Sequence, residues 1–95
     1  MHSVKLAPQQ INSRISRSEH CLEVLQLVCA HCEVFDAIHT STALHKTAQL
    51  MQYSDKQLIA QHPGYGMLMT LTAAKVGAFE PWALPNTIWA LSNLP

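Results

Sequence analysis

Residues 79–94 read FEPWALPNTIWALSNL. Apolar residues recur in this stretch at spacings of three and four, which places one stripe of them on a helix: Leu84, Ile88 and Leu91. Pro81 suits the first position of a helix, because the amide that proline lacks would have no partner there. Pro85 fits without a kink only if the helix begins near Trp82, which puts it in the first turn. The stretch predicts a helix over residues 81–93.

The same periodicity predicts four further helices earlier in the chain. They cover approximately residues 19–32, 40–51, 55–62 and 66–76. Their starts carry residues that cap helix N-termini, namely Ser18, Thr40 and Ser54. Gly77 follows the fourth helix, where a left-handed C-cap is common. No period-two alternation and no Asn-Gly or Asp-Gly turn signal competes, so the sequence predicts an all-α fold.

The composition limits what such a fold can do. The chain has 95 residues, of which 48% are apolar and only 13% are charged, against a usual charged share of about 25%. A small domain with so few charges has little to keep every face in water, so we expect further repeats or a partner to cover one face. The formal net charge is zero. This argues against a strong free-standing nucleic-acid binder, because phosphate neutralisation requires an excess of Lys and Arg.

The three cysteines, Cys21, Cys29 and Cys32, lie within 12 residues of one another. Their odd number and clustering do not match a secreted disulfide framework, which favours a reducing compartment. Cys29 and Cys32 have the spacing of half a zinc site, but a structural site needs four ligands and no second cysteine pair exists. We therefore expect both to pack as small apolar residues, with no metal and no cofactor.

No motif indicates an enzyme or a membrane protein. The histidines are scattered, and none belongs to a recognisable catalytic motif. No apolar run approaches the ~18–20 residues of a membrane span. The first residues are basic and free of acids, which is similar in composition to an organellar transit peptide. We expect a non-enzymatic, soluble, intracellular protein.

The chain contains an internal repeat. A shift of 44 residues aligns residues 34–50 with 78–94 without gaps. Phe35 then meets Phe79, and the apolar pattern and the order of the helices repeat together. Each unit is a pair of antiparallel helices that cannot bury both faces alone, and such units stack. We expect three segments: an irregular basic lead-in at residues 1–10, a first hairpin repeat at 11–53, and a second at 54–95 that ends a truncated array.

Within the second unit, the pattern FEPxxLxNTIWALxxL runs from Phe79 to Leu94. It resembles the signature of octotricopeptide repeats, the helical-hairpin repeats of organellar RNA-binding proteins that include RAP-domain and FAST-kinase-like proteins. The resemblance covers the chain from about Ile11 onward. Trp82 stands where the family usually has Gln, Pro85 replaces a small residue, the 44-residue offset exceeds a period of just under ~40, and no RAP domain is present. The resemblance implies a right-handed α-solenoid fragment of about two hairpin repeats.

The resemblance also implies a function. It indicates an RNA-binding module of a factor that acts in organellar transcript processing, stability or translation, or that associates with an organellar ribosome, in a mitochondrion or chloroplast. The implied partner is single-stranded RNA held by the longer array, with other proteins as further partners. The alternative is a protein–protein scaffold without RNA contact, which the zero net charge favours. A binding face lined by Lys and Arg would favour RNA, whereas a neutral apolar face would favour protein.

Seven residues are candidates for contact with RNA: His39, Thr40, Thr42, His45, Lys46, Trp82 and Asn86. In helical-repeat RNA readers, a few side chains per repeat recognise one base. A plain solvated face is the alternative for His39, Thr40, His45 and Lys46. A structural hydrogen bond to the neighbouring unit is the alternative for Thr42 and Asn86. Trp82 fits either base stacking or core packing, and Trp89 is expected to pack in the core between the hairpins.

Overall fold

A computed structural model describes residues 6–95 of the chain. These residues form six α-helices and no β-strand, so the all-α prediction is confirmed. The helices are α1 (Pro8–Arg17), α2 (Cys21–His31), α3 (Ala37–Leu50), α4 (Lys56–Gln61), α5 (Pro63–Lys75) and α6 (Leu84–Asn93). Short 3₁₀ turns lie at Cys32–Val34, Tyr53–Asp55, Val76–Ala78 and Pro81–Ala83.

The first helix, α1, was not among the predicted helices, and its first three residues lie in the lead-in that we expected to be irregular. Pro8 takes the first position of α1, and the Gln10 side chain accepts a hydrogen bond from the Ala7 amide at 2.8 Å. Ile11 and Ile15 are both fully buried, which fixes α1 on the rest of the molecule. Of the predicted lead-in at residues 1–10, the first five residues lie outside the described part of the chain and the last three are helical.

The caps of α2 and α3 differ from the predicted ones. His20 caps α2, since its Nδ1 accepts a hydrogen bond from the Leu22 amide at 3.1 Å, and the predicted cap Ser18 instead donates its hydroxyl to the Arg14 carbonyl. Asp36 caps α3 by accepting from the His39 amide at 2.8 Å. As a result, α3 begins three residues earlier than predicted, because an exposed carboxylate satisfies the first amides better than the expected threonine would.

Glycine and proline explain the geometry of α5 and α6. A Cβ on Gly64 would collide with the backbone carbonyl of Leu25, so this glycine lets α5 approach α2 closely. Gly77 lies in a 3₁₀ turn without positive φ, so the predicted left-handed C-cap is wrong. Pro85 falls in the first turn of α6 after the turn Pro81–Ala83, where it causes no kink, as the sequence allowed.

Helix α3 lies at the centre of the fold and packs against α1, α2, α5 and α6. The fully buried core draws on all six helices, and its largest side chains include Ile15, Leu25, Leu44, Ile59 and Leu68. By contrast, α5 and α6 barely touch each other. They are joined instead by the Tyr65 hydroxyl, which donates a 2.6 Å hydrogen bond to the Pro95 carbonyl. Helices α2 and α3 therefore pack as a closed pair, whereas α5 and α6 do not pack as the antiparallel hairpin that we expected for residues 54–95.

The helices of the described chain are short relative to the thickness of a lipid bilayer. None of those formed by residues 6–95 is both long and apolar enough to cross a membrane. The longest, α3, has 14 residues, against the roughly 20 residues that a span requires.

Candidate functional site on the exposed face of α3 and α6

Helices α3 and α6 lie side by side and present one continuous exposed face. Three pairs of residues line it, and the members of each pair are 44 residues apart: Ile38 with Trp82, Thr42 with Asn86, and His45 with Trp89. Within each set the residues are spaced four and three apart, so they share one side of a helix. We refer to these six residues as the α3–α6 face.

The face carries large apolar and aromatic groups in contact with solvent. Trp82 is 67% exposed, Trp89 is 46% exposed and Ile38 is 52% exposed. A shallow groove of about 100 Å³ runs between the helices, lined by Ser41, Thr42, His45, Trp82, Ala83 and Asn86. Exposed aromatic area of this kind marks an interaction surface more often than chance exposure of single apolar residues does.

Small residues of α6 and of the 3₁₀ turn before it explain why the large residues of this segment point outward. Ala83, Thr87 and Ala90 are buried, and α6 packs against α3. Thr87 donates its hydroxyl to the Ala83 carbonyl at 2.9 Å, so it brings no unsatisfied polar group into the contact. Because the buried stripe consists of small side chains, α6 can approach α3 closely, and the bulky Trp82 and Trp89 remain on the surface.

Four of the seven predicted candidates meet in the groove: Thr42, His45, Trp82 and Asn86. Lys46 follows His45 on α3 and is half-buried, and it does not line the groove. The remaining two candidates, His39 and Thr40, lie in the interior with relative exposures of 3% and 0%.

The burial of His39 and Thr40 corrects the sequence-based prediction for both residues. The Nδ1 atom of His39 accepts from the Asp36 amide at 3.2 Å, which leaves the proton on Nε2, and Nε2 donates to the Pro8 carbonyl at 2.8 Å. Thr40 donates its hydroxyl to the Asp36 carbonyl at 2.7 Å. Both side chains therefore hold α1 and the start of α3 in place and are not available to a ligand.

Two residues of the face were missed by the sequence reasoning. Trp89 was expected in the core but is half exposed, and its ring meets the edge of His45 with centroids 5.5 Å apart. Ile38 was not considered at all. The 44-residue offset would have found it, because it places Ile38 opposite the candidate Trp82.

The groove on the α3–α6 face is electrically neutral, since its lining contains no Lys, Arg, Asp or Glu. The arginines lie elsewhere. Arg14 and Arg17 line a broad cleft of about 840 Å³ beside α2, together with Gln26, His31 and His62. The absence of Lys and Arg does not favour RNA, but the hydroxyl, imidazole and amide groups of Thr42, His45 and Asn86 make the groove neutral without making it apolar, so charge alone does not separate RNA from a protein partner.

The cysteine pair that resembled half a zinc site gathers no further ligands. Within residues 6–95, Cys29 and Cys32 belong to no group of three metal-binding side chains, and both are half-buried thiols. Burial raises the pKa of the Cys29 thiol, and the neighbouring Cys32 raises it further. A different group, His20, Cys21 and Asp55, does bring three possible ligands together.

Comparison with known proteins gave no match: no protein-family model, no curated protein and no solved structure matches this chain. The resemblance to octotricopeptide repeats consequently depends on the quoted residues alone.

Proposed function

We propose that this chain is an RNA-binding module built of helical repeats, belonging to a factor in organellar RNA metabolism. The observation that carries the proposal is the composition of the α3–α6 face. Trp82, Trp89 and His45 offer aromatic surface, and Thr42 and Asn86 lie between them with hydroxyl and amide groups. Proteins that bind single-stranded RNA combine aromatic platforms for stacking with polar groups that read the base edges.

The spacing of the two tryptophans suits an extended strand. Trp82 lies in the 3₁₀ turn before α6 and Trp89 lies on α6. The two are seven positions apart, which corresponds to roughly 11 Å along this helical segment. They would therefore contact different nucleotides. Because each base presents an aromatic surface regardless of its identity, stacking on these rings supplies affinity, and the polar groups of Thr42 and Asn86 supply discrimination.

A repeating architecture supports the proposal, and we infer a right-handed α-solenoid of which these residues are part. Two pairs of positions 44 residues apart have matching environments. Ile15 and Ile59 are both fully buried, and Phe35 and Phe79 are both buried after a 3₁₀ turn. In a solenoid, a surface feature recurs from unit to unit. On the α3–α6 face, the three residues from α3 have counterparts 44 positions later in the chain.

The far side of α6 supports a longer array. Leu84, Ile88 and Leu91 are 40%, 66% and 45% exposed. Their counterparts 44 residues earlier are Thr40, Leu44 and Thr47, and all three are fully buried. The exposed apolar residues of α6 therefore occupy positions that are buried in α3. A further unit could stack on them and would extend the RNA-binding face.

Binding of a labelled single-stranded RNA oligomer, followed by fluorescence anisotropy, tests the proposal. Since stacking is worth about 1–3 kcal/mol per base, Trp82→Ala and Trp89→Ala should each weaken binding roughly 5–150-fold. Tyr53→Ala is the matched control, because Tyr53 is an aromatic residue that is 89% exposed and lies off the face. Equal losses in all three variants, or binding that none of them changes, would refute the assignment of this face.

A protein–protein scaffold is the second candidate, and the neutral lining of the groove favours it. Crosslinking and sequencing of RNA bound to the parent protein separates the two functions. Recovery of no RNA above background, with co-purifying protein lost in Trp82→Ala, would establish the scaffold. Salt adds a second criterion, because RNA held mainly by stacking on a neutral face should show a shallow dependence of affinity on salt.

A further inference from the structure

Three different metal-binding side chains meet where α2 begins and where the turn Tyr53–Asp55 leads into α4. The Nε2 atom of His20 lies 3.7 Å from Oδ1 of Asp55, and the Sγ atom of Cys21 lies 3.8 Å from Nδ1 of His20. One ligand atom from each residue can be chosen so that all three lie within 4.8 Å of one another. The three residues are brought together only by the fold, since Asp55 is 34 positions from Cys21 in the chain.

The burial of Asp55 is the observation that first requires an explanation. Asp55 is only 8% exposed, and no Lys or Arg from the described part of the chain forms an ion pair with it. At the 44-residue offset it corresponds to Ile11, a fully buried core residue. A carboxylate at a position where the first unit places an apolar side chain is costly unless a cation or hydrogen bonds compensate it.

The contacts of Asp55 leave one oxygen free for a cation. Its Oδ2 accepts a hydrogen bond from the Gln52 amide at 2.9 Å, which orients the carboxylate. Its Oδ1 faces His20 at 3.7 Å, beyond the length of a hydrogen bond. Such an arrangement, with one oxygen held by the backbone and the other turned toward an imidazole and a thiol, is typical of a supported metal ligand.

We propose that His20, Cys21 and Asp55 bind a divalent transition-metal ion, for which zinc is the best fit. Tetrahedral zinc with bonds of about 2.0–2.2 Å to nitrogen and oxygen separates those two ligand atoms by roughly 3.3–3.5 Å. The Nε2–Oδ1 separation of 3.7 Å lies close to this value, and one ligand atom from each of the three residues lies within 4.8 Å of the other two. One nitrogen, one sulfur and one oxygen form a borderline-soft ligand set that suits zinc, whereas magnesium and calcium require oxygen ligands.

The exposure of the three residues defines how the ion would enter. Cys21 is fully buried, and the side chain of His20 is 51% exposed. The ion therefore reaches the thiol past the imidazole. With three protein ligands, the fourth position on that open side belongs to water, as in zinc sites that are not closed by a fourth side chain.

Binding moves two protons and replaces one hydrogen bond. The Cys21 thiol loses its proton to solvent as the metal–sulfur bond forms. Coordination through Nε2 of His20 transfers the single imidazole proton to Nδ1, which then no longer accepts from the Leu22 amide. The metal, held by Cys21 at the first position of α2, takes over from that cap in anchoring the start of the helix.

Spectroscopy with cobalt, combined with zinc titration calorimetry on the reduced chain, tests the proposal. We expect one cobalt per chain, visible bands of tetrahedral cobalt, and a near-ultraviolet thiolate-to-cobalt band that disappears in Cys21→Ser. Asp55→Asn retains an acceptor for the Gln52 amide, and His20→Asn retains a residue suited to cap α2. Each of the three variants should weaken zinc binding by more than the ~10–100-fold that loss of a supporting partner costs.

The double variant Cys29→Ser/Cys32→Ser is the matched control and should bind zinc as the unmodified chain does. Three results would overturn the proposal: no zinc binding by the unmodified chain, a cobalt spectrum without the thiolate band, or loss of binding in the control variant rather than in Asp55→Asn. Circular dichroism of Asp55→Asn and His20→Asn shows whether each remains helical, so that loss of metal is distinguished from loss of fold. The outcome is independent of RNA binding, because none of these residues belongs to the α3–α6 face.

Discussion

The ring of His45 on α3 meets the ring of Trp89 on α6, with centroids 5.5 Å apart and planes inclined at 62°. This edge-to-face pair joins α3 to α6 through two residues that are 44 positions apart in the sequence. The sequence predicted Trp89 to be a core residue. In the structure it is a surface residue that packs against His45 at the candidate binding face.

The pair should contribute measurably to stability. Such aromatic contacts are worth about 0.5–1.5 kcal/mol beyond the area that they bury. A double-mutant cycle of His45→Ala and Trp89→Ala, followed by urea denaturation, should give a coupling energy in that range. Strictly additive single effects would show that the two rings do not interact in solution.

Leu44 and Ile88 occupy corresponding positions but different environments, with exposures of 0% and 66%. We expect Leu44→Ala to lower the free energy of unfolding by about 2–5 kcal/mol, because it leaves a cavity in the core. Ile88→Ala should change it by no more than about 0.5 kcal/mol. Both values come from chemical denaturation at several protein concentrations, and a large loss for Ile88→Ala would mean that another molecule covers the far side of α6.

Gly64 and Gly66 lie two residues apart on α5 and offer a matched pair. A Cβ at Gly64 would strike the Leu25 carbonyl, whereas a Cβ at Gly66 has nothing within 4 Å. Gly64→Ala should therefore destabilise the protein by about 1–3 kcal/mol through forced separation of α5 and α2. Gly66→Ala should stabilise it by up to about 1 kcal/mol, since alanine favours the helix. Thermal unfolding gives the melting temperature of each variant. A lower melting temperature for Gly66→Ala than for Gly64→Ala would contradict the packing of α5 on α2.

Cys21 makes stability dependent on alkaline pH. Burial, followed by the negative charge of nearby Asp55, raises the pKa of this thiol from 9.0 to about 11. Between these values the unfolded chain loses the thiol proton and the folded chain keeps it, so the free energy of unfolding falls as pH rises from 9.0 to about 11. Below pH 9.0 the contribution is fully present.

Denaturation curves across this pH range check the effect, and Cys21→Ala provides the comparison. In Cys21→Ala the free energy of unfolding should still fall with rising pH, but less steeply than in the unmodified chain. Part of the fall remains because burial also raises the pKa of Tyr65. An identical slope in the variant and the unmodified chain would rule out Cys21 as a source. Alkylation gives a second measure, and Cys21 should react more slowly than the half-buried Cys32 in the folded chain.

The sequence determined the helices, because their signals are local. Periodic apolar residues predicted five of the six, and the position of Pro85 in the first turn of α6 followed from the absence of internal partners for the first amides. The boundaries were less accurate at α3, where Asp36 caps the helix instead of Thr40. Two acceptor side chains were available there, and the carboxylate of Asp36, which is a stronger N-cap than a threonine hydroxyl, accepts from the first amides.

Only the tertiary structure decided which face of each helix meets solvent. His39 and His45 both looked like the polar edge of α3. In the structure α1 covers His39 and holds it through the Pro8 carbonyl, while His45 is only half-buried and contacts Trp89. A helix has a single periodicity but several sides, and the neighbour that covers a side comes from tens of residues away. For the same reason no motif pointed to His20, Cys21 and Asp55, whose proximity arises from the packing of α2 against the turn before α4.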